Sequence, residues 1–283
     1  MNRVPFSQVL KQANVDYCKE YRRLYEMFYV QKHKYEMGAT GTLKDICAVN
    51  FMNLPFRGTC ITLSDFDDSH GYQFYRNTSP LDFNYLVSFC EYSYNLAVYN
   101  NHLGGRFGYG IAMPQMHPMQ VYIFQVEAVV EKLGYMPNRQ DGITDFVPKD
   151  QAAISVAEVI DPNLSYRVIE YNHHSMKGDL ERKRNTLLAL ADRLEPLRKK
   201  LKEINTQMES CLFYLFNNMN IRHNNDDKNG NHYVPCVASM SKEKLENWYD
   251  ETYQMCLLAF LELDQLERKD RIKELQERIE QNK

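Results

Sequence analysis

The sequence lacks the cysteine spacing that would point to a metal site or a disulfide framework. Its seven cysteines are scattered along 283 residues, and no two of them are spaced as Cys-x-x-Cys. An odd, dispersed set of this kind favours neither zinc binding nor paired disulfides. We therefore expect mostly buried free thiols, with no metal and no cofactor.

Long apolar runs and a strong net charge are missing as well. No stretch approaches the ~20 apolar residues that cross a bilayer, and the first ten residues lack the apolar centre of a signal peptide. These absences predict a cytoplasmic protein without a membrane partner. The formal net charge of −3 argues against a surface that binds nucleic acid over its whole extent, although a local basic face remains open.

What the sequence does contain is an ordinary globular composition with apolar residues at helical spacing. Apolar residues make up 44% and charged residues 25%, which matches folded domains. In the first half, three patterns predict helices because apolar residues recur every three or four positions or because a capping residue precedes proline. These helices cover Phe6 to Met37, Ser79-Pro80 to about Tyr99, and Met119 to Leu133.

The connections of the first half are rich in glycine, proline and acidic residues. Leu54 to Arg76 reads as an irregular connection with a short strand at Thr59 to Leu63, and Gly104 to Gly110 reads as a loop. Gly134 to Pro148 is the best candidate for a domain boundary. We therefore divide the chain into residues 1–147, a mostly helical region of unknown role, and residues 148–283.

The second half reads as helix almost throughout. Asp161-Pro162 and Asp179 each predict a helix start, Pro196 an end or kink, and Ser241 the start of a helix to the C-terminus. Another helix is expected from Leu197 to Met219. The predicted fold class is all-α, with an antiparallel helical bundle in this half. Six leucines should be buried in it: Leu187, Leu190, Leu212, Leu215, Leu257 and Leu261.

The most unusual polar cluster follows the predicted helix that ends near Met219. It holds the asparagines Asn218, Asn220 and Asn225 together with Arg222 and His223, and His232 comes slightly later. Arginine offers a fixed fork of donors for phosphate, and histidine exchanges protons near neutral pH. Together these residue types can cleave RNA without a metal, because the 2′-hydroxyl itself attacks the phosphate.

This arrangement resembles the HEPN superfamily, whose members are small helical bundles that often act as ribonucleases in toxin and phage-defence systems. The resemblance covers about Asp150 to Asp264 and implies that Arg222 stabilises the phosphate. The family pattern has its histidine closer to the arginine, whereas nine residues separate Arg222 from His232. Three possibilities stay open: the loop carries an insertion, His223 itself exchanges the proton, or the domain is inactive.

Two structural interpretations compete with catalysis. Asparagine, arginine and histidine also gather at helix C-termini, where they bind unpaired carbonyls and suit the helix dipole. The three asparagines would then orient the loop instead of a substrate. The alternative function is a non-catalytic helical module that binds a protein or RNA.

A second polar group precedes the helix that Asp179 begins. His173, His174 and Lys177 lie next to the basic run Arg182 to Arg184. They could contact the phosphates of an RNA that enters the first site, or they could form a solvated helix face. Farther along the chain, three aromatic residues of the last helix could lie near the Arg222 loop, since a bundle returns that helix past it: Trp248, Tyr249 and Tyr253.

The last predicted helix ends in a charged segment with a narrow apolar stripe. Ile272, Leu275 and Ile279 recur at helical spacing among many charged residues, which is too short for a firm coiled-coil prediction. The resemblance implies sites completed across a two-fold axis, so a homodimer through this helix is one expectation. A solvated terminal extension is the other.

Overall fold

The protein is described from a computed structural model, which covers residues 15–34, 40–78, 81–103 and 117–281. Helix dominates these residues, and the two sheets among them have two strands each, so the predicted all-α class is confirmed. None of the described helices is long and apolar enough to cross a membrane. The chain divides into two compact units, Met1–Phe146 and Val147–Lys283, one residue away from the predicted division.

The first unit begins with a helix that is shorter than predicted. Helix α1 spans Tyr17–Tyr25 and continues as one π-helical turn, Glu26–Val30. The chain is extended from Gln31, and its next residues pair as a short antiparallel ladder, β1 (His33–Lys34) with β2 (Thr40–Gly41). The predicted end at Met37 is therefore wrong, because strand pairing replaces the helix after Val30. The predicted part before residue 15 lies outside the described residues.

A capped helix replaces the predicted strand near Thr59. The side chain of Thr62 accepts a hydrogen bond from the backbone N–H of Asp65, which begins helix α3 (Leu63–His70). Gly71 ends it with a left-handed φ of 71°, a conformation that suits glycine. The acidic stretch that reads as an irregular loop is thus helical, since threonine followed three residues later by aspartate is a helix start.

The core of the first unit is unusually aromatic. The remaining elements of this unit pack around it: α2 (Leu43–Val49), a 3₁₀ turn (Phe51–Asn53), α4 (Phe83–Leu103) and α5 (Pro118–Lys132). Phe28 of the π turn lies at the centre, with ring centroids 6.4 Å from Phe89 and 5.2 Å from Tyr122. The predicted Ser79-Pro80 start and the Gly104 to Gly110 loop fall outside the described residues.

A β-hairpin occupies the stretch that reads as a domain boundary. Strands β3 (Tyr135–Gln140) and β4 (Ile143–Pro148) are joined by Asp141 and Gly142, whose φ values of 52° and 81° are both left-handed. An Asp-Gly pair suits this two-residue turn, so the sequence carries a hairpin signal that the boundary interpretation overlooks. The amide of Asn95 on α4 exchanges two hydrogen bonds of 2.8 Å with the backbone of Thr144.

The second unit is a bundle of helices that follow one another closely. They are α6 (Gln151–Val159), α7 (Pro162–Glu170), α8 (Leu180–Leu194), α9 (Arg198–Ile204), α10 (Thr206–Asn218), α11 (Pro235–Ala238) and α12 (Lys242–Gln281). The predicted starts are confirmed, since Asp161, Asp179 and Ser241 each accept a backbone N–H in the first turn. Pro196 lies in a 3₁₀ turn, Glu195–Leu197, that ends α8.

The structure divides one predicted helix of this unit into two shorter helices. Asn205 separates α9 from α10: its side chain accepts the backbone N–H of Met208 at 2.9 Å, and its amide donates to Glu262 at 3.0 Å. Asparagine favours caps over helix interiors because its side chain competes for backbone groups. The continuous helix predicted from Leu197 to Met219 is therefore wrong at this residue.

Helix α12 supplies the centre of the bundle core. Five of the six leucines predicted to be buried are buried, and Leu261 is partly buried against the same cluster. Tyr253 of α12 stacks on Tyr171 with ring centroids 4.0 Å apart, and its hydroxyl donates to the carbonyl of Val168. These contacts hold the first half of α12 in place, next to the end of α10 and the loop that follows.

Candidate functional site

The candidate site is the loop between α10 and α11, residues 219–234, here called the Arg222 loop. Helix α10 ends at Asn218, and Asn220 turns the chain with a left-handed φ of 57°. Asparagine tolerates this conformation better than most residues. Asn218 itself donates its amide back to the carbonyl of Tyr214, one turn earlier in the helix.

Asn225 organises the loop from inside. Its side chain makes three hydrogen bonds, its backbone N–H makes a fourth, and the residue is 1% exposed. The amide donates to the carbonyls of Asn217 and His232 at 3.0 and 2.8 Å, while the amide oxygen accepts the N–H of Asn220 at 2.7 Å. Asn220 returns the bond, since its side chain accepts the N–H of Asn225 at 3.1 Å. Of the two predicted roles for Asn225, the geometry fits shaping the loop and not contact with substrate.

The guanidinium of Arg222 contacts other protein groups through two of its nitrogens. One nitrogen donates to the carbonyl of Ala191 at 3.0 Å, and the other forms an ion pair with Glu195 at 2.5 Å. The flat group also lies over the rings of Phe213 and Phe216. Ala191 belongs to the last turn of α8, where the helix dipole favours a cation. Arg222 therefore caps a neighbouring helix, and a phosphate would have to displace Glu195 to reach it.

The two predicted histidines meet despite their separation in sequence. The rings of His223 and His232 stack with centroids 3.9 Å apart and an angle of 12° between their planes. His232 is exposed and His223 is half-buried. Burial lowers the pKa of His223, and His232 and Arg222 lower it further through their charge. The lowered pKa favours the neutral imidazole of His223, which is the form that can accept a proton.

Arg184 and Tyr249 also hold the loop. Arg184 of α8 donates to the carbonyl of Asn220 at 2.5 Å and lies 3.5 Å from the side-chain oxygen of Asn224. The hydroxyl of Tyr249 reaches the same Asn220 carbonyl at 3.4 Å, as expected for a helix that returns past the loop. Sequence reasoning missed the role of Arg184, because nothing in its own segment indicates which carbonyl it will meet.

The second predicted group does not form a basic strip. His173 is buried and its ring accepts the backbone N–H of Ser175, which begins the 3₁₀ turn His174–Met176. The His173 and His174 ring centroids are 4.3 Å apart. Lys177 is exposed. Arg182 pairs with Glu170 at 2.5 Å, so its charge is directed at the protein.

Lys183 is the least expected member of that basic run, because it is 5% exposed. Its ammonium contacts Glu246 at 2.8 Å and Asp250 at 2.7 Å, both on α12. Asp250 also accepts the hydroxyl of Tyr171, and Glu246 accepts the backbone N–H of Gly178. Burial raises the pKa of Glu246, but the bonds from Gly178 and Lys183 outweigh it and the net pKa is lowered.

The end of α12 is the most exposed element of the second unit. Residues 267–281 are all exposed, and the apolar stripe is open to solvent, with Ile272, Leu275 and Ile279 at 55%, 57% and 50% exposure. We call residues 265–281 the α12 extension. The sequence predicts no site residue in this segment, and it predicts the stripe either as a dimer contact or as part of a solvated extension.

Comparisons with known proteins leave this site without a precedent. No protein-family model, curated protein or solved structure matches the chain. The resemblance to the HEPN superfamily therefore stays a prediction that rests on the residues of the Arg222 loop alone.

Proposed function

We propose that the second unit is a non-catalytic helical interaction module that binds a partner through the α12 extension. The observation that carries this proposal is that the two arginines at the Arg222 loop bind groups of the protein itself. Arg222 forms an ion pair with Glu195 and donates to the carbonyl of Ala191, and Arg184 donates to the carbonyl of Asn220. Arg222, the one arginine of the loop, and Arg184 of α8 both serve the bundle, so the loop offers phosphate little positive charge besides that of the exposed Lys228.

The exposed stripe of the α12 extension supports the same proposal. A helix this far from its core gains no packing energy, and short isolated helices are marginal in water. Ile272, Leu275 and Ile279 nevertheless keep an apolar stripe along it. Apolar anchors at such spacing are how an amphipathic helix docks against another helix or a groove.

A pair of matched variants tests the proposal. Ile272→Glu with Leu275→Glu alters the stripe, whereas Glu274→Gln with Glu277→Gln alters the other side of the same helix. We expect a partner, isolated from the producing cells and then purified, to bind the parent protein and the glutamine variant but not the glutamate variant. Equal binding of the partner to all three proteins would contradict it.

Metal-independent RNA cleavage is the second candidate function, of the toxin or phage-defence type that the HEPN resemblance implies. The stacked histidines favour it, since His223 has a lowered pKa and His232 lies against it at the surface. His223 would take the proton of the attacking 2′-hydroxyl, and His232 would return one to the leaving oxygen. Arg222 would first have to leave Glu195.

An RNA degradation assay in chelator decides between the two candidates. If the loop is catalytic, His223→Ala and His232→Ala should each slow cleavage by roughly 10² to 10⁴, and Arg222→Lys should lose the forked contact to phosphate. If the second unit is an interaction module, the parent protein should cleave RNA no faster than these variants do.

A further inference from the structure

We infer that the partner of the α12 extension is a helix of another protein, with an apolar seam flanked by acidic residues. This inference rests on the proposed function and names the chemistry of its partner. It depends on which residues share the apolar side of α12 and on how the charges divide between that side and the opposite one.

The apolar stripe is the end of a longer seam. At intervals of three and four residues it runs back from Ile279 through Leu275, Ile272, Arg268 and Gln265 and then to Leu261 and Leu258. Leu258 is 51% exposed and Leu261 is partly buried against the core of the second unit, so the seam begins beside that core. At 1.5 Å per residue it extends for about 32 Å, which is enough for several turns of a second helix.

Charges on the extension are segregated by side. At 100° per residue, four of its charged side chains flank or lie in the seam, and all four are basic: Arg268, Lys269, Arg271 and Arg278. The opposite side carries five acidic residues and one lysine: Glu267, Asp270, Glu274, Glu277, Glu280 and Lys273. Arg268 forms an ion pair with Asp264, one turn earlier, at 2.5 Å.

This segregation argues against a second copy as the occupant of the seam. In an antiparallel pair centred on Ile272 and Leu275, Arg271 of one copy would lie beside Arg278 of the other, and a parallel pair would set Arg268 against Arg268 within the seam. Like charges at the positions beside a seam disfavour pairing, whereas opposite charges select the partner. A helix with glutamate or aspartate beside its own seam would place opposite charges beside Lys269 and Arg271.

The width of the seam argues against a membrane surface. Helices that lie in a bilayer interface present a broad apolar face, commonly with tryptophan or phenylalanine. The extension has neither residue between Gln265 and Gln281, and its three apolar anchors lie within about 60° of one another around the helix. A stripe this narrow is the geometry of a helix–helix seam.

Two synthetic helical peptides of equal length and identical leucine seam test the inference, one with glutamate and one with lysine at the flanking positions. Binding to the full chain is measured by fluorescence anisotropy of the labelled peptides at low and high salt. We expect the glutamate peptide to bind at least about tenfold more tightly than the lysine peptide, a ratio equivalent to about 1.4 kcal/mol. This preference should shrink as salt is raised, since salt screens exposed charges.

Variants of the chain separate the seam from its flanks. Ile272→Glu with Leu275→Glu should abolish binding of both peptides, whereas Glu274→Gln with Glu277→Gln should leave it unchanged. Reversing the flanks with Lys269→Glu, Arg271→Glu and Arg278→Glu should shift the preference to the lysine peptide. Circular dichroism of each variant confirms that α12 remains helical.

The possible failures of this experiment are distinguishable. Equal binding of both peptides, or a dimer of the chain that the Ile272→Glu and Leu275→Glu variant abolishes, would overturn the acidic partner while the interaction module stands. Binding of phosphatidylserine vesicles without binding of either peptide would overturn the helical partner in favour of a membrane. If peptides, vesicles and a second copy all fail to bind, the proposed function itself is lost.

Discussion

At the scale of single residues, Arg222 shows how the same contacts can suggest either catalysis or architecture. A catalytic arginine needs its donors free for phosphate, whereas the donors of Arg222 are directed at Glu195 and the carbonyl of Ala191. Its two aromatic neighbours, Phe213 and Phe216, extend that protein environment around the guanidinium. Stability measurements can therefore distinguish the two roles.

Arg222→Ala should lower the free energy of unfolding by about 2 kcal/mol, because it removes a charged hydrogen bond to a helix end and the contact with two rings. Glu195→Gln should cost less than about 1 kcal/mol, since the Glu195 side chain is half exposed. Urea denaturation measures both changes. A loss for Arg222→Ala no larger than that for Glu195→Gln would contradict the capping role.

Asn225 gives a sharper stability prediction, since it is buried and uses both amide hydrogens. Asn225→Asp keeps its size but cannot donate to the carbonyls of Asn217 and His232. We expect a loss of about 2 to 3 kcal/mol, the cost of leaving buried polar groups unpaired. Asn218→Asp, at a half-buried helix position, is the matched control and should change little. Thermal unfolding of the two variants would refute the prediction if both melt together.

The residue types and the turn of the Arg222 loop could be predicted from the sequence, but the hydrogen-bond and ion-pair partners of Arg222 could not. The cluster of asparagine, arginine and histidine correctly indicated a polar turn after a helix, and both histidines lie in it. Glu195 and Ala191, which decide what Arg222 does, come from a helix that ends more than twenty residues earlier. No local spacing rule connects them, because only tertiary packing brings α8 to the loop.

At the scale of elements, helix α12 is held to α8 by the ion pairs of Lys183 with Glu246 and Asp250, and to the loop before α8 by the bond from Gly178 to Glu246. The lowered pKa of Glu246 has a direct consequence for stability. Above its ordinary value of 4.5, the ionised carboxylate stabilises the folded state. As pH falls below that value, the unfolded chain takes up the proton first, and the stabilisation disappears through the lower folded pKa.

Glu246→Gln should therefore reduce stability at neutral pH and matter progressively less as pH falls below 4.5. Urea denaturation of the parent and variant proteins across this range measures the difference. Glu243→Gln, an exposed position in the first turn of the same helix, serves as control and should show no such narrowing. A constant gap at all pH values would mean that Glu246 is not tied to Lys183 in solution.

The ends of helices could be predicted where a capping residue marks them, and could not be predicted where tertiary contacts determine the end. Asp161, Asp179 and Ser241 carry start signals that the fold uses. The turn at Asp141 carries an equally local signal: the two units do divide within Gly134 to Pro148, but the same stretch also forms a hairpin that the sequence interpretation overlooks. The end of α1 at Val30 follows from the pairing of β1 with β2, and that pairing depends on residues that are not adjacent in sequence.

At the scale of the whole molecule, the charge pattern predicts a monomer in the absence of a partner. Light scattering of the intact chain at about 20 μM, a range in which specific complexes form, should give the mass of one copy. The homodimer expected from the HEPN resemblance stays a prediction, and a dimeric mass would favour it over our proposal.

Deletion of the residues after Asp264 should leave the midpoint of urea unfolding nearly unchanged. Residues 267–281 are exposed throughout, and removing exposed helix alters stability by less than about 0.5 kcal/mol per site. Peptide binding, by contrast, should disappear. A large drop in the midpoint would show that the extension packs on the chain in solution and is not free for a partner.

Helix α12 joins buried core and exposed seam in one unbroken rod, with no glycine or proline from Lys242 to Gln281. The direction in which Ile272, Leu275 and Ile279 point is therefore set by the core, whose last buried residue on this helix is Leu263. Ile279 lies about 24 Å from Leu263 at 1.5 Å per residue. Inserting one alanine after Asp264 would rotate the seam by about 100° without altering a single side chain in it. Such an insertion would turn a bound partner helix about the axis of α12 relative to the bundle. The number of residues between the core and the seam, and not only their composition, therefore sets the orientation of the partner.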